Sequence, residues 1–128
     1  MNKHSCYAFY GSLRQGMYNH QIFEQHLHYL FTENLAGFRL YALERYPIAV
    51  KSESIRDVIK VEIFQVTDAE TENKIHRLEL NAGYYYDEVL VRGVLAGIYL
   101  FQKSGNHLLV PGGDWVQHVN KKWINKTK

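Results

Sequence analysis

The feature that most constrains this chain is an apolar run, residues 7–10, that stops at Gly11-Ser12-Leu13-Arg14-Gln15-Gly16 and passes directly into a helix-like segment. A buried strand ending in a glycine-flanked loop before a helix points to a mixed α and β architecture. The junction also suits an anion. Exposed backbone N–H groups in such a loop converge on a negative group, and Gly11 and Ser12 leave room for a ligand to approach the main chain. Gly11 and Gly16 share the spacing of a phosphate-binding P-loop, but Met17 and Tyr18 stand where that loop needs lysine and serine or threonine. Nucleoside triphosphate binding is therefore disfavoured.

The chain has 128 residues, 46% of them hydrophobic, enough for one core and little room for a second. We read residues 1–118 as one domain and 119–128 as a basic, solvated tail carrying Lys121, Lys122, Lys126 and Lys128. The net charge of +2 comes from 15 basic and 13 acidic residues spread along the chain, so no nucleic-acid-binding face is expected. Cys6 is the only cysteine, which excludes an intrachain disulfide and a cysteine-based zinc site and suits a reducing cytoplasm. The amino terminus is polar and no apolar run reaches the length of a membrane span. We expect a cytoplasmic protein without membrane contact.

Beyond the loop, Asn19 serves as the expected N-cap of an amphipathic helix to about Phe31, with Ile22, Phe23, Leu27, Leu30 and Phe31 at helical spacing. Residues 38–42 suggest a strand ending before Tyr46-Pro47, and residues 59–63 another, with Lys60 and Glu62 on the face opposite Ile59, Val61 and Ile63. Thr67-Asp68-Ala69-Glu70 has capping-box spacing for a short helix reaching roughly Glu79, which Asn81-Ala82-Gly83 breaks. Residues 84–91 and 94–101 form a hairpin around Arg92-Gly93, and residues 108–110 a last short strand. About six strands and two helices predict an α+β fold, a curved six-stranded sheet or small barrel with helices packed outside.

Tyr10-Gly11-Ser12-Leu13-Arg14 with Asn19-His20 downstream resembles the signature of the γ-glutamylcyclotransferase-like superfamily, particularly its γ-glutamylamine cyclotransferase and AIG2-like branch. Tyr41-Ala42-Leu43 before Tyr46-Pro47, then Val61-Glu62-Ile63-Phe64, Ile75 to Tyr86 as a helix ending in Leu-Glu with a tyrosine-rich strand behind, and Gly113-Asp114-Trp115 resemble the family's pieces in their order. The sequence departs from the pattern where Val61 replaces a glycine, where Tyr86-Asp87-Glu88 lacks a basic residue, and where Leu80-Asn81-Ala82 displaces Gly83 from the Leu-Glu pair. The resemblance implies a six-stranded barrel, an oxyanion-sized pocket at the glycine loop and a glutamate acting as acid and base. It also implies the reaction: the α-amine of a small γ-glutamyl amine or peptide attacks its own γ-carbonyl, giving 5-oxoproline and the freed amine.

That chemistry accounts for the residue types. The α-amine arrives protonated and the departing amine needs a proton, so one carboxylate at hydrogen-bonding range serves both steps. Glu79, at a helix end beside Tyr84-Tyr85-Tyr86, is the candidate, since partial burial would raise its pKa to a useful value. The expected substrate-binding residues are Tyr10, Gly11, Ser12, Leu13, Arg14 and Tyr85, with the loop amides holding the substrate α-carboxylate or the developing oxyanion. Arg14 either draws in an anion or is simply solvated. At most two of the three consecutive tyrosines can face the site. Glu62 is the second carboxylate, expected on the solvent face of its strand or in a cross-strand pair. Ser12 lacks a nearby relay for nucleophilic catalysis, His20 orients the loop, and the seven histidines have no metal-binding spacing. No cofactor or metal is needed, because nucleophile and electrophile belong to one molecule. The alternative is a catalytically silent domain that binds a small carboxylate or a protein. No oligomeric state follows from the sequence.

Overall fold

The computed structural model describes residues 5–127, with side chains up to Lys121. The expectations for the amino-terminal residues 1–4, the side chains of Lys122 and Lys126, and Lys128 lie outside the described residues. Strand β1 (Cys6–Phe9) leads through the glycine loop into α1 (Tyr18–Phe23) and a 3-10 turn (Glu24–His26). Then come β2 (Leu27–Ala36), β3 (Phe38–Leu43), β4 (Tyr46–Lys51), β5 (Val58–Val66), α2 (Ala69–Asn81), β6 (Tyr85–Val91), β7 (Val94–Leu100), β8 (Leu108–Leu109) and α3 (Trp115–Thr127).

The α+β class is as expected, but the barrel is not closed. Strands form a five-stranded sheet in the order β2-β5-β1-β7-β6 and a three-stranded sheet in the order β4-β3-β8. β1 runs antiparallel to β5 and parallel to β7. A bond from the Phe101 N–H to the Ala49 carbonyl (2.9 Å) ties the sheets together beyond the end of β7.

Strand period explains the layering. β1 is buried on both faces, so its residues divide by parity. Cys6, Ala8 and Tyr10 face the three-stranded sheet and share a core with Leu40, Ala49, Ile59, Val61, Ile63, Ile98 and Leu100. Tyr7 and Phe9 face the helices and pack with Leu13, Phe64, Ile75 and Tyr99. The Tyr7 ring stacks on Phe9 and Tyr99, with centroids 5.7 and 6.1 Å apart.

The helix expected to run to Phe31 stops early. α1 ends at Phe23, and Leu27–Ala36 is a strand that pairs along β5 from Leu27↔Val66 to Ala36↔Val58, with a bulge between Tyr29 and Phe31. Leu27, Leu30 and Phe31 satisfy a helical period, yet Phe31 and Leu35 also pack on the core from a strand, and β5 needs a partner along that edge. Asn19 is not the cap either. Met17 occupies the N-cap without a side-chain bond, and Asn19 lies inside α1.

α2 is capped one residue later than the capping-box spacing suggests. The Asp68 carboxylate accepts the Thr71 N–H at 2.9 Å and the Thr71 hydroxyl at 2.7 Å. The paired bonds hold the Asp68 carboxyl below its usual range. Most of the segment read as a tail is helical backbone in α3, whose Trp115 is buried between the sheets.

Candidate active site

The loop that opened the sequence reading begins at the carboxyl end of β1 and is built from the inside. The Arg14 N–H donates to the Gly11 carbonyl (3.0 Å), Met17 to Arg14 (3.1 Å) and His20 to Ser12 (3.0 Å). The buried His20 ring meets the Leu13 carbonyl through Nδ1 at 3.0 Å. Among the described residues, no protein acceptor receives the N–H of Gly11, Ser12 or Leu13. These amides border a cavity of about 720 Å³.

Arg14 does not border it. Its guanidinium is buried, with Nε on Glu62 at 2.7 Å and Nη1 on Asp114 at 2.8 Å. The other Glu62 oxygen accepts the Gln15 N–H at 2.8 Å, so Glu62 is neither on a solvent face nor in a simple cross-strand pair. Glu62 points to the helix side of β5 with Phe64, where the loop covers it. Asp114 also caps α3 by accepting the Gln117 N–H at 3.1 Å. The three side chains thus clamp the loop to β5 and to the start of α3, and Arg14 acts beneath the pocket rather than in it.

A second part of the lining comes from the last turn of α2. Leu78, Glu79 and Ala82 border the cavity, and the Glu79 carbonyl accepts the Ala82 and Tyr84 N–H groups at 3.1 Å each, fixing the exit from the helix. The Glu79 residue is half-buried, but its carboxyl lies deep in the cavity. Burial, which disfavours the charged form, pushes it from 4.5 up to about 7. Among the described residues, no hydrogen bond ties it to another side chain, so it is open to a ligand.

Aromatic residues close the floor. Tyr10 is among the lining residues, and its hydroxyl donates to the Tyr99 carbonyl (2.5 Å) and accepts the Ala49 N–H (3.2 Å), bridging the two sheets. Burial holds its phenol well above the ordinary range, and the bonds leave it no role as an acid. Of the tyrosine triplet, Tyr84 borders the cavity and Tyr85 does not. Tyr84 donates to the Pro47 carbonyl at 2.6 Å and meets Phe101 edge-on at 4.7 Å. Tyr85 packs toward the core between the sheets, as strand alternation requires. Tyr99 is a lining residue that the sequence reading missed, and its hydroxyl meets His76 Nδ1 at 3.0 Å. Its alternation opposite Ile98 and Leu100 on β7 was the available signal.

Pro47 approaches the loop so closely that only glycine fits at position 11. A Cβ there would sit 2.6 Å from Pro47 Cγ. Gly11→Ala is expected to displace the turn between β3 and β4, costing roughly 1–3 kcal/mol as overpacking does. Thermal unfolding checks this, and an unchanged midpoint would show that the turn yields freely. Asn19 Nδ2 donates to Ser12 Oγ at 2.7 Å, which leaves the Ser12 O–H to turn into the cavity. Ser12 has no histidine and carboxylate relay among its hydrogen-bond partners. No cluster of three or more metal-ligating side chains occurs among the described residues.

A cavity lined by both free amides and an elevated carboxyl sits within a sequence that the profile described as γ-glutamyl cyclotransferase, AIG2-like matches over residues 7–117. The chain belongs to that family. An uncharacterized protein from Pyrococcus horikoshii has a similar structure, with TM-score 0.78 and 27% identity, covering 92% of this chain and 95% of that one. YkqA from Bacillus subtilis is 25% identical with TM-score 0.70, covering 97% of this chain and 43% of the longer protein. An AIG2-like protein from Mus musculus shares the fold with TM-score 0.65 at 16% identity, covering 87% of each chain. No curated protein matches this chain. Family membership agrees with a cyclotransferase type of enzyme. No helix among the described residues is long and apolar enough to cross a membrane.

Proposed function

We propose that this member of the γ-glutamyl cyclotransferase, AIG2-like family cyclises a small γ-glutamyl amine or peptide to 5-oxoproline, with Glu79 as acid and base. The observation that carries the reading is the Glu79 carboxyl at about 7, sharing one cavity with the unengaged Gly11, Ser12 and Leu13 amides. Such a carboxylate accepts a proton near neutrality and can return it.

The substrate's α-ammonium gives a proton to Glu79, and the freed nitrogen attacks the γ-carbonyl carbon. The oxyanion that forms lies against the loop amides, with the Ser12 hydroxyl beside them. Collapse breaks the bond to the leaving nitrogen as Glu79 returns the proton to it. A second proton passes from the attacking nitrogen to the departing amine, so the products are a neutral lactam and an ammonium ion. Tyr84 and Tyr99 restrict water and favour the bent substrate. The sequence supplies every acid and base the reaction needs, so no cofactor enters the scheme.

The test is 5-oxoproline release from a panel of γ-glutamyl amines and dipeptides. Release of 5-oxoproline with the free amine in equal amounts is expected, and a folded protein that releases none would favour a silent carboxylate-binding domain. The pH dependence is a sharper check. The base works ionised, so kcat/KM should climb about tenfold per pH unit below 7 and level above it, because the Glu79 carboxyl ionises at about 7. An acid limb at the ordinary carboxyl value of 4.5 would remove the elevated base from the scheme.

A further inference from the structure

The mouth of the cavity differs from its depths. Three lining side chains there are large, apolar and open to solvent: Tyr18 at 75%, Tyr46 at 57% and Leu78 at 42% exposure. Arg45 lines the same cavity and is the only cationic residue on its wall among the described residues. Arg14, Arg39 and Arg92 are each paired with a carboxylate, whereas Arg45 makes no ion pair among the described residues.

The backbone that carries Arg45 is fixed. It lies in the two-residue turn joining β3 and β4, which pair as Leu43↔Tyr46, with Glu44 at a positive φ of 51°. Two residues on, Pro47 is fixed against Gly11 and accepts the Tyr84 hydroxyl. The turn therefore presents a guanidinium over the opening of the pocket.

A substrate bound for cyclisation carries two anchors in the depths. Its α-amine must reach Glu79 and its γ-carbonyl the loop amides, and the α-carboxylate, attached to the same carbon as the amine, stays with it on the inner side. The leaving group projects the other way, toward the mouth. A volume of about 720 Å³ lies in the range that holds drug-sized ligands, well beyond a glutamyl unit alone. An unpaired guanidinium among apolar side chains suits a planar carboxylate beside an apolar body.

We propose that Arg45, flanked by Tyr18, Tyr46 and Leu78, selects γ-glutamyl compounds whose leaving amine carries a carboxylate next to an apolar side chain. The preferred substrates are thus γ-glutamyl derivatives of apolar α-amino acids rather than of simple amines. The proposal rests on the cyclisation reading of this site and assigns the leaving group that the reading leaves open.

The test compares γ-glutamylphenylalanine with γ-glutamylphenethylamine, which differ only in the leaving-group carboxylate. Turnover and calorimetric binding are measured on the wild type, Arg45→Gln and Arg45→Lys. Position 45 is exposed, so these substitutions leave the core untouched. The wild type is expected to favour the carboxylate compound about three- to tenfold, the size of a solvent-open charged contact. Arg45→Gln should bring that ratio close to one, and Arg45→Lys should retain part of it. A ratio unchanged in Arg45→Gln overturns the proposal. So does an equal loss on both compounds, which would mean that Arg45 holds the shared glutamyl carboxylate. If neither compound is turned over, the cyclisation reading fails by itself and binding decides for Arg45. Carboxylate-selective, Arg45-dependent binding then upholds the selectivity, and equal or absent binding ends it.

Discussion

Glu79→Gln is expected to lower 5-oxoproline release by about 10²- to 10⁴-fold, the contribution of a positioned acid and base, while leaving the protein at least as stable as the wild type. The amide keeps the shape of the side chain and removes the proton acceptor. The stability effect follows from the raised carboxyl. An acid that ionises at 4.5 when exposed and at about 7 when folded binds its proton more tightly in the native state. Between those values the native state holds the extra proton, so stability falls as pH rises, and above pH 7 the full cost of the buried charge is present. That cost is on the order of 1–3 kcal/mol for this half-buried group. Glutamine removes it, so unfolding measured at pH 8 should favour the variant, and the advantage should vanish below about pH 5. Loss of activity with equal or greater stability marks a residue kept for chemistry rather than for folding. A variant within about tenfold of wild-type turnover would take Glu79 out of the mechanism. Among the described residues no other carboxylate lines the cavity, so a different kind of base would then be sought.

The parts of this molecule legible in the sequence are those governed by local pattern. The apolar run into Gly11, the alternating Ile59-Lys60-Val61-Glu62-Ile63 and the two-residue Arg92-Gly93 turn each specify their structure within a few residues. The place of Glu79 near a helix end was legible through the capping pattern before it and the Asn81-Ala82-Gly83 break after it. What the sequence hides depends on partners far along the chain. Leu27, Leu30 and Phe31 fit a helix until β5 is there to pair with them, and the bulge at Leu30 absorbs the misfit to strand alternation. Glu62 looks solvent-facing because its strand alternates, yet a loop 48 residues earlier folds over it. Tyr84 and Tyr85 cannot be told apart until β6 has a register, here Tyr85↔Leu100. The closed barrel failed for a related reason. Strand count was nearly readable, but whether β3, β4 and β8 join the main sheet or form their own depends on pairing that no local pattern records.

Breaking the Arg14–Glu62 pair is expected to unfold the protein more readily than any change in the cavity itself. Glu62→Ala removes the partner of the Arg14 Nε at 2.7 Å and of the Gln15 N–H at 2.8 Å, leaving a buried guanidinium with Asp114 alone. Loss of one member of a buried pair costs about 3–5 kcal/mol, because the remaining charge keeps its desolvation penalty without its compensation. In a domain of this size that lowers the melting temperature by roughly 10–20 °C. Arg14→Met should cost less than Glu62→Ala, since it takes the charge away instead of stranding it, and both Asp114 and Glu62 retain backbone N–H donors from Gln117 and Gln15. The double variant Arg14→Met with Glu62→Leu should then recover part of the loss in a thermodynamic cycle, because an apolar pair suits two positions that are both buried. Strictly additive losses would mean that the two side chains stabilise the fold separately. The consequence for function runs through the loop. The clamp fixes Arg14 and Gln15 directly behind the Gly11, Ser12 and Leu13 amides, so the recovered double variant should fold yet turn substrate over more slowly, as its amides lose their fixed aim. A double variant with both stability and turnover restored would show that the loop holds its shape without the ions beneath it.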